Sequence, residues 1–311
     1  MHTPSSPFTR FLLASLFLLP FGCRAAPQGN ASGSQEGGGP GAAAATVDAS
    51  VPSADGILIH YHAEGQGEPV LLFVHCWSCS SAFWEEQVKY FAPTHRVVTF
   101  DLAGHGASGM GRKRYTIEAF GQDVRAVAEA LDLRKVVLIG HSMGGPVALE
   151  AARLMPDRVV GLVPIDTLQD ADMHPTPQQL DSFLDAFKKD FPTATRNLVR
   201  QIVPPTADPK IVASIADHMA GASSEVGISA MREMFAYDVA AALRAVKMPI
   251  KAINSGMRPT RLEVNRRYAP QFDALIMPGV GHFPMLESPD AFNRTLEQVV
   301  RELAGPAPAR G

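Results

Sequence analysis

The sequence predicts an α/β fold: a mostly parallel central sheet flanked by helices, with a helical cap inserted late in the chain. Three observations predict it. Short apolar runs alternate with amphipathic stretches, and a long segment in the second half has helical periodicity with no strong strand. A glycine-rich turn, Gly140-His141-Ser142-Met143-Gly144, joins one apolar run to a helical one.

Residues 1–23 read as an address. Arg10 precedes an apolar run over 11–19 that ends near Pro20, too short to cross a bilayer but suited to the hydrophobic region of a signal peptide. Phe21-Gly22-Cys23 resembles a bacterial lipobox, in which the cysteine becomes the lipidated first residue, although Pro20 stands where Leu is usual. Ala25-Ala26 offers a cleavage site for plain secretion instead. The expected location is therefore extracytoplasmic: periplasmic or membrane-anchored through Cys23, or else secreted. Residues 24–50 are rich in Gly, Ala, Ser, Pro and Gln. They lack the large apolar side chains that offset ordering entropy, and so read as a flexible linker.

The body follows from residue 51. Alternation over 57–62 and the continuous apolar run 69–74 read as strands, the second of the kind buried on both faces. A helix over 81–91, a strand over 96–100, a helix over 116–131 and a strand over 135–139 complete a β-α-β-α-β series, which demands parallel pairing. Helix 144–154, strands 159–165, 250–253 and 274–277, and a closing helix 289–304 continue it. The core is thus assigned to 51–166 and 247–305. Residues 167–246, broken at Pro175, Pro177, Pro192, Pro204-Pro205 and Pro209, form the helical cap. An insertion after a strand of a parallel sheet lands above the carboxyl ends of the strands, where such sheets bind ligands.

Composition narrows the function. Of 311 residues, 28 are Lys or Arg against 31 Asp or Glu, and no basic run exceeds Arg112-Lys113-Arg114, so nucleic acid is not the expected partner. A small molecule is. No metal-ligand cluster or phosphate-binding loop stands out, and no cofactor or metal is expected.

The chemistry centres on Ser142. Flanking glycines permit a sharp strand-to-helix turn from which a serine projects, and the Met143 N–H would sit at a helix N-terminus, where unpaired amides favour developing negative charge. With Asp101-Leu102-Ala103-Gly104-His105-Gly106-Ala107-Ser108 after one strand and Gly281-His282-Phe283 after the last, residues 50–305 resemble the α/β-hydrolase superfamily, specifically its capped serine hydrolases. The resemblance implies a serine nucleophile, a histidine base near the C-terminus, a carboxylate that orients it, and two backbone amides as an oxyanion hole. Ser142 and His282 match the first two roles. Dehalogenase and epoxide-hydrolase chemistry begins, in relatives, from an aspartate where this chain has Ser142.

Two positions depart from the family pattern. After the penultimate strand the chain reads Ile253-Asn254-Ser255-Gly256-Met257-Arg258, without the usual carboxylate. Asp166, at the end of strand 159–165, is favoured as the acid; Asp170, Glu263, or no working acid are the alternatives, and Asp166 has a competing reading as a helix N-cap. In His75-Cys76-Trp77-Ser78-Cys79, Cys76 stands where relatives usually carry Gly. Trp77 N–H is then an oxyanion donor beside Met143 N–H, attained with strain at Cys76. His75, Cys76 and His141 are placed near substrate, the histidines as hydrogen-bonding rather than basic groups. Cys76 and Cys79 form a possible redox pair in a compartment that permits disulfides, or else remain two small buried hydrophobes.

Acyl transfer from a carboxylic ester or related bond is the leading function, with C–C hydrolysis and perhydrolysis using the same residues. A catalytically impaired binding protein on the same fold is one alternative. A C-x-x-C thiol oxidoreductase is another, but it leaves Ser142 and His282 without a role.

Overall fold

The computed structural model describes residues 46–305. The signal peptide, Cys23 and most of the linker lie outside those residues. Eight strands form a single sheet in the order β1-β2-β4-β3-β5-β6-β7-β8. They are β1 Val47–Pro52, β2 Leu58–Glu64, β3 Val70–Val74, β4 Val97–Phe100, β5 Val136–His141, β6 Val159–Ile165, β7 Ile250–Ser255 and β8 Phe272–Met277. β1 pairs antiparallel with β2, and β2 with β4; the pairings from β4 through β3, β5, β6 and β7 to β8 are parallel.

Every residue of β3, β4 and β5 is buried, because helices cover both faces of a parallel sheet and leave no room for a polar side. These helices are α1 Glu85–Phe91, behind a 3-10 turn Ser81–Trp84, then α2 Ile117–Ala130, α3 Gly144–Leu154 and α11 Pro289–Ala304. Thr116 caps α2, its side chain accepting from Ala119 N–H.

Five helices separate β6 from β7: α4 Pro177–Lys189, α5 Phe191–Gln201, α6 Pro209–Ala220, α7 Ser224–Ala236 and α8 Val239–Ala245. Prolines that look like breaks in the sequence stand in the first turns of α4, α5 and α6, where the missing N–H costs nothing. α4 opens with a capping box of Thr176 and Gln179, so its N-cap is not Asp166. α9 Leu262–Tyr268 and the short α10 Pro284–Glu287 follow.

One boundary needs correction. Residues 47–50, read as linker, belong to edge strand β1, whose alternate residues are half-buried against the sheet. Small side chains suffice there because an edge strand needs only half its face covered.

A buried charge cluster ties α2 to the loop after β4. The Asp123 carboxylate, wholly buried, accepts from Ser53 Oγ at 2.5 Å, Ala103 N–H at 3.1 Å and Arg112 Nη2 at 2.6 Å. Removing one member strands the others without water, which costs about 3–5 kcal/mol. Asp123→Ala should therefore lower urea-unfolding stability by about that much, whereas Asp181→Ala, which loses only the exposed contact to Arg232, should cost under about 1 kcal/mol.

Candidate active site

Ser142 adopts φ of +52° between β5 and α3, a left-handed conformation that an L-residue holds only when its surroundings impose it. The glycines around it supply the imposition. A Cβ at Gly140 would stand 2.1 Å from the Gly144 carbonyl oxygen, and one at Gly144 would stand 2.4 Å from that of Val74. Gly145 is pressed on Thr167, where a Cβ would meet the Thr167 methyl at 2.3 Å. Ser142 N–H donates to the Ile165 carbonyl at 3.0 Å, tying the turn to the end of β6. Backbone hydrogen bonds take up the Ser142 and Gly145 amides, and none among the described residues takes up that of Met143, at the N-terminus of α3, where amides lack a helical partner.

At the same end of β6 stands Asp166, also left-handed with φ of +43°. Its Oδ2 accepts from His282 Nδ1 at 2.6 Å, and its Oδ1 accepts from Ser255 N–H at 2.8 Å. Burial works to raise this carboxyl, but the His282 hydrogen bond and charge, with the Ser255 N–H, outweigh it and hold the group down to about 2. The carboxylate fixes the His282 tautomer: Nδ1 carries the proton, leaving Nε2 as an acceptor. β7 therefore contributes no carboxylate, yet its end still serves the acid through a backbone amide. Asp170 accepts instead from Asp172 N–H at 2.9 Å, and Glu263 pairs with Arg261 on the surface, so neither is brought to His282.

The His282 loop is held at three successive amides and at the His282 carbonyl. Gly281 N–H and Phe283 N–H both donate to the Glu287 carboxylate, at 2.7 and 2.9 Å. His282 N–H donates to the Ile202 carbonyl at the end of α5 at 2.9 Å, and the His282 carbonyl accepts from His141 Nε2 at 2.6 Å. The His141 and His282 rings lie 4.9 Å apart, so the residue before Ser142 touches the His282 loop directly. Glu287 and the Ile202 carbonyl were not foreseeable as parts of the site; a carboxylate a few residues after a Gly-His pair is the one faint signal in the sequence.

His75 and Cys76 lie in the loop after β3 and His141 at the end of β5, beside Ser142, and all three are buried. His75 is fully buried, with Nε2 accepting from Leu102 N–H at 2.9 Å and Nδ1 donating to the Cys76 carbonyl at 2.8 Å, which leaves no polar atom for substrate. Cys76 is buried in a disulfide with Cys79, the Cα atoms 5.2 Å apart. His141 is fully buried too, and burial, then the neighbouring His282, hold it well below the ordinary imidazole range and therefore neutral. The two histidines brace the loops by hydrogen bonds, and Cys76 by its disulfide. The expected strain also moves: Cys76 does not take the left-handed conformation, whereas Ser78 does, with φ of +55°.

Trp77 joins the loop to the insertion. Its indole N–H donates to the Gly227 carbonyl in α7 at 2.6 Å, and its ring lies 5.5 Å from Phe187 and 5.6 Å from Phe191. Among the described residues no group of His, Cys, Asp and Glu is arranged to hold a metal ion, and no helix is long and apolar enough to cross a membrane.

Known proteins share this architecture. The chain is 24% identical over 255 residues to 3-oxoadipate enol-lactonase 2 of Acinetobacter baylyi, an alignment covering 80% of this chain and 95% of that one. A thermophilic esterase from Thermogutta terrifontis superposes with a TM-score of 0.73 at 24% identity, covering 84% of this chain and 100% of the esterase. The enol-lactonase of Burkholderia xenovorans does so with a TM-score of 0.70 at 21% identity, over 80% and 98%. These likenesses establish the fold. The model of the alpha/beta hydrolase family matches residues 71–295, which takes in the Ser142 turn, Asp166 and His282, and to that family the chain belongs.

Proposed function

We propose that this hydrolase cleaves carboxylic esters or lactones through an acyl-enzyme formed on Ser142. The observation that carries the reading is the 2.6 Å Asp166–His282 hydrogen bond, together with a serine held in a left-handed turn next to His141, whose ring meets the His282 loop. With Nδ1–H committed to Asp166, His282 Nε2 takes the Ser142 hydroxyl proton as Oγ attacks the substrate carbonyl. Negative charge passes to the carbonyl oxygen, which the Met143 and Trp77 amides receive. His282 returns the proton to the leaving alkoxide, and water repeats the sequence to release the acid. The names of two relatives, an enol-lactonase and an esterase, support an oxygen ester as the bond cut. Helices α4, α5 and α7, which meet Trp77, would select the acyl or alcohol group. The Cys76–Cys79 disulfide agrees with an extracytoplasmic location, with Cys23 as a lipid anchor or with plain secretion.

The test is hydrolysis of a p-nitrophenyl ester and lactone series by the full chain. Ser142→Ala should lose at least about 10⁴-fold in kcat, and a fluorophosphonate should label Ser142 in the wild type only. A wild type that neither turns over any of these substrates nor takes the label would favour a binding protein on the same fold.

Asp166 gives an independent prediction. Its carboxyl lies near 2 in the folded chain against an ordinary 3.8, so the stability it contributes is complete above about pH 4 and lost as the pH falls through 2. That difference corresponds to about 2 kcal/mol. Asp166→Asn should be less stable than wild type by about that amount at pH 7, with the gap narrowing below pH 4 in urea titrations. Its kcat should fall about 10³-fold or more, because an amide no longer imposes the Nδ1–H tautomer.

A further inference from the structure

We infer that the Cys76–Cys79 disulfide is a positioning element for the oxyanion hole, holding Trp77 N–H in place across a turn that the local sequence disfavours. The inference rests on the proposed acyl transfer and concerns two cysteines to which that reaction assigns no step.

Residues 76–79 form a tight turn in which Cys79 N–H donates to the Cys76 carbonyl at 3.2 Å. The disulfide spans the same two ends. The third residue of the turn, Ser78, is left-handed at φ of +55°, as in type II turns, where glycine or asparagine is the usual occupant. Serine holds that conformation at a cost of about 1–3 kcal/mol. Nothing local returns it, since Ser78 Oγ is buried and has no hydrogen-bond partner. A single N–H···O bond of 3.2 Å contributes about 1 kcal/mol, too little to secure the turn alone. The covalent link between its ends supplies the remainder by removing the open alternatives.

The function of that geometry lies at the second residue. A turn bonds its fourth N–H to its first carbonyl and leaves its second N–H outside the ring, so Trp77 N–H is the amide this turn frees. The Trp77 side chain is anchored separately, by the indole bond to Gly227 and by Phe187 and Phe191. Gly227 itself lies so close that a Cβ there would stand 2.6 Å from the Phe191 ring and 3.2 Å from Ser78 Oγ. With the indole fixed, rotation of the 76–77 peptide, the one that carries Trp77 N–H, is the freedom that remains to be blocked. The disulfide blocks it. Cys76, unusual at this position, thus substitutes a cross-link for the conformational freedom of a glycine.

The experiment compares the full-length wild type, the Cys76→Ser/Cys79→Ser double variant, and that double variant with Ser78→Gly added. Kinetics are read on the best ester or lactone, and hydrogen exchange is read by mass spectrometry on peptides covering 75–80 and α7. Removal of the disulfide should lower kcat by about 10- to 100-fold, part of the 10²–10³ that loss of one oxyanion donor costs, with KM changed less than about threefold. Exchange at 75–80 should rise while thermal unfolding stays cooperative. Adding Ser78→Gly should recover at least about tenfold of the lost kcat, because glycine takes the left-handed position freely. A merely stabilising disulfide would leave kcat of the folded double variant unchanged, and that result, or unaltered exchange at 75–80, would overturn the inference. So would a full loss that Ser78→Gly does not relieve. Failure of the wild type to take the fluorophosphonate label would instead sink the hydrolase reading; exchange at 75–80, which needs no turnover, still decides whether the disulfide holds the turn.

Discussion

The site depends on how closely α3 approaches the sheet. Its first residue, Gly144, lies against the carbonyls of Val74 and His75 at the end of β3, nearer than any side chain permits. That approach forces the chain to leave β5 through a left-handed residue, which sets Ser142 at the top of the turn. It also brings the Met143 amide beside the loop that carries Trp77. Packing of a helix on two neighbouring strands thus places the serine and both candidate oxyanion amides with one contact. The strain at Ser142, of order 1–3 kcal/mol, is offset by the burial of α3, in which nine residues are inaccessible.

In the proposed mechanism Asp166, at the end of β6, serves as the acid in place of a carboxylate after β7. β6 and β7 are adjacent and parallel, so their carboxyl ends lie about 4.8 Å apart along the same rim. Moving the carboxylate across that distance keeps it within reach of a histidine on the next loop. The vacated place on β7 is not idle: Asn254 Oδ1 accepts from Thr167 N–H at 3.1 Å, and Ser255 N–H donates to the carboxylate itself. These bonds, with Asn265 Nδ2 donating to the Leu168 carbonyl at 2.6 Å, fix the loop in which both Asp166 and Leu168 are left-handed.

How much of this is legible in the sequence varies with the kind of atom involved. Strands buried on both faces announce themselves, since every position must be apolar; β6 occupies the residues that its Val-rich run indicates. The edge strand β1 does not, because half of it faces water and the rest is covered adequately by alanine and valine. Ser142 and His282 are marked by glycines that only tight turns require. His75 and His141 look like ligand contacts because motif loops surround a site, but a loop must also satisfy its buried amides and carbonyls, and these two rings do that. Contacts made by backbone groups, such as the Ile202 carbonyl on His282 N–H, leave no trace in residue identity at all.

Those backbone contacts tie the helical insertion to both loops of the candidate site. It meets one loop through the Trp77 indole on the Gly227 carbonyl and the other through His282 N–H on the Ile202 carbonyl. Gly281 allows the second contact, since a Cβ there would stand 2.6 Å from Pro204. The two bonds start from opposite sides of Ser142 and end on different helices, α7 and the C-cap of α5. A shift of either helix would therefore move the Trp77 loop or His282, and a shift of both would move them together. If the insertion selects the substrate as proposed, selection and alignment draw on the same hydrogen bonds, and a substitution that reshapes α5 or α7 for a new acyl group should alter kcat as well as KM.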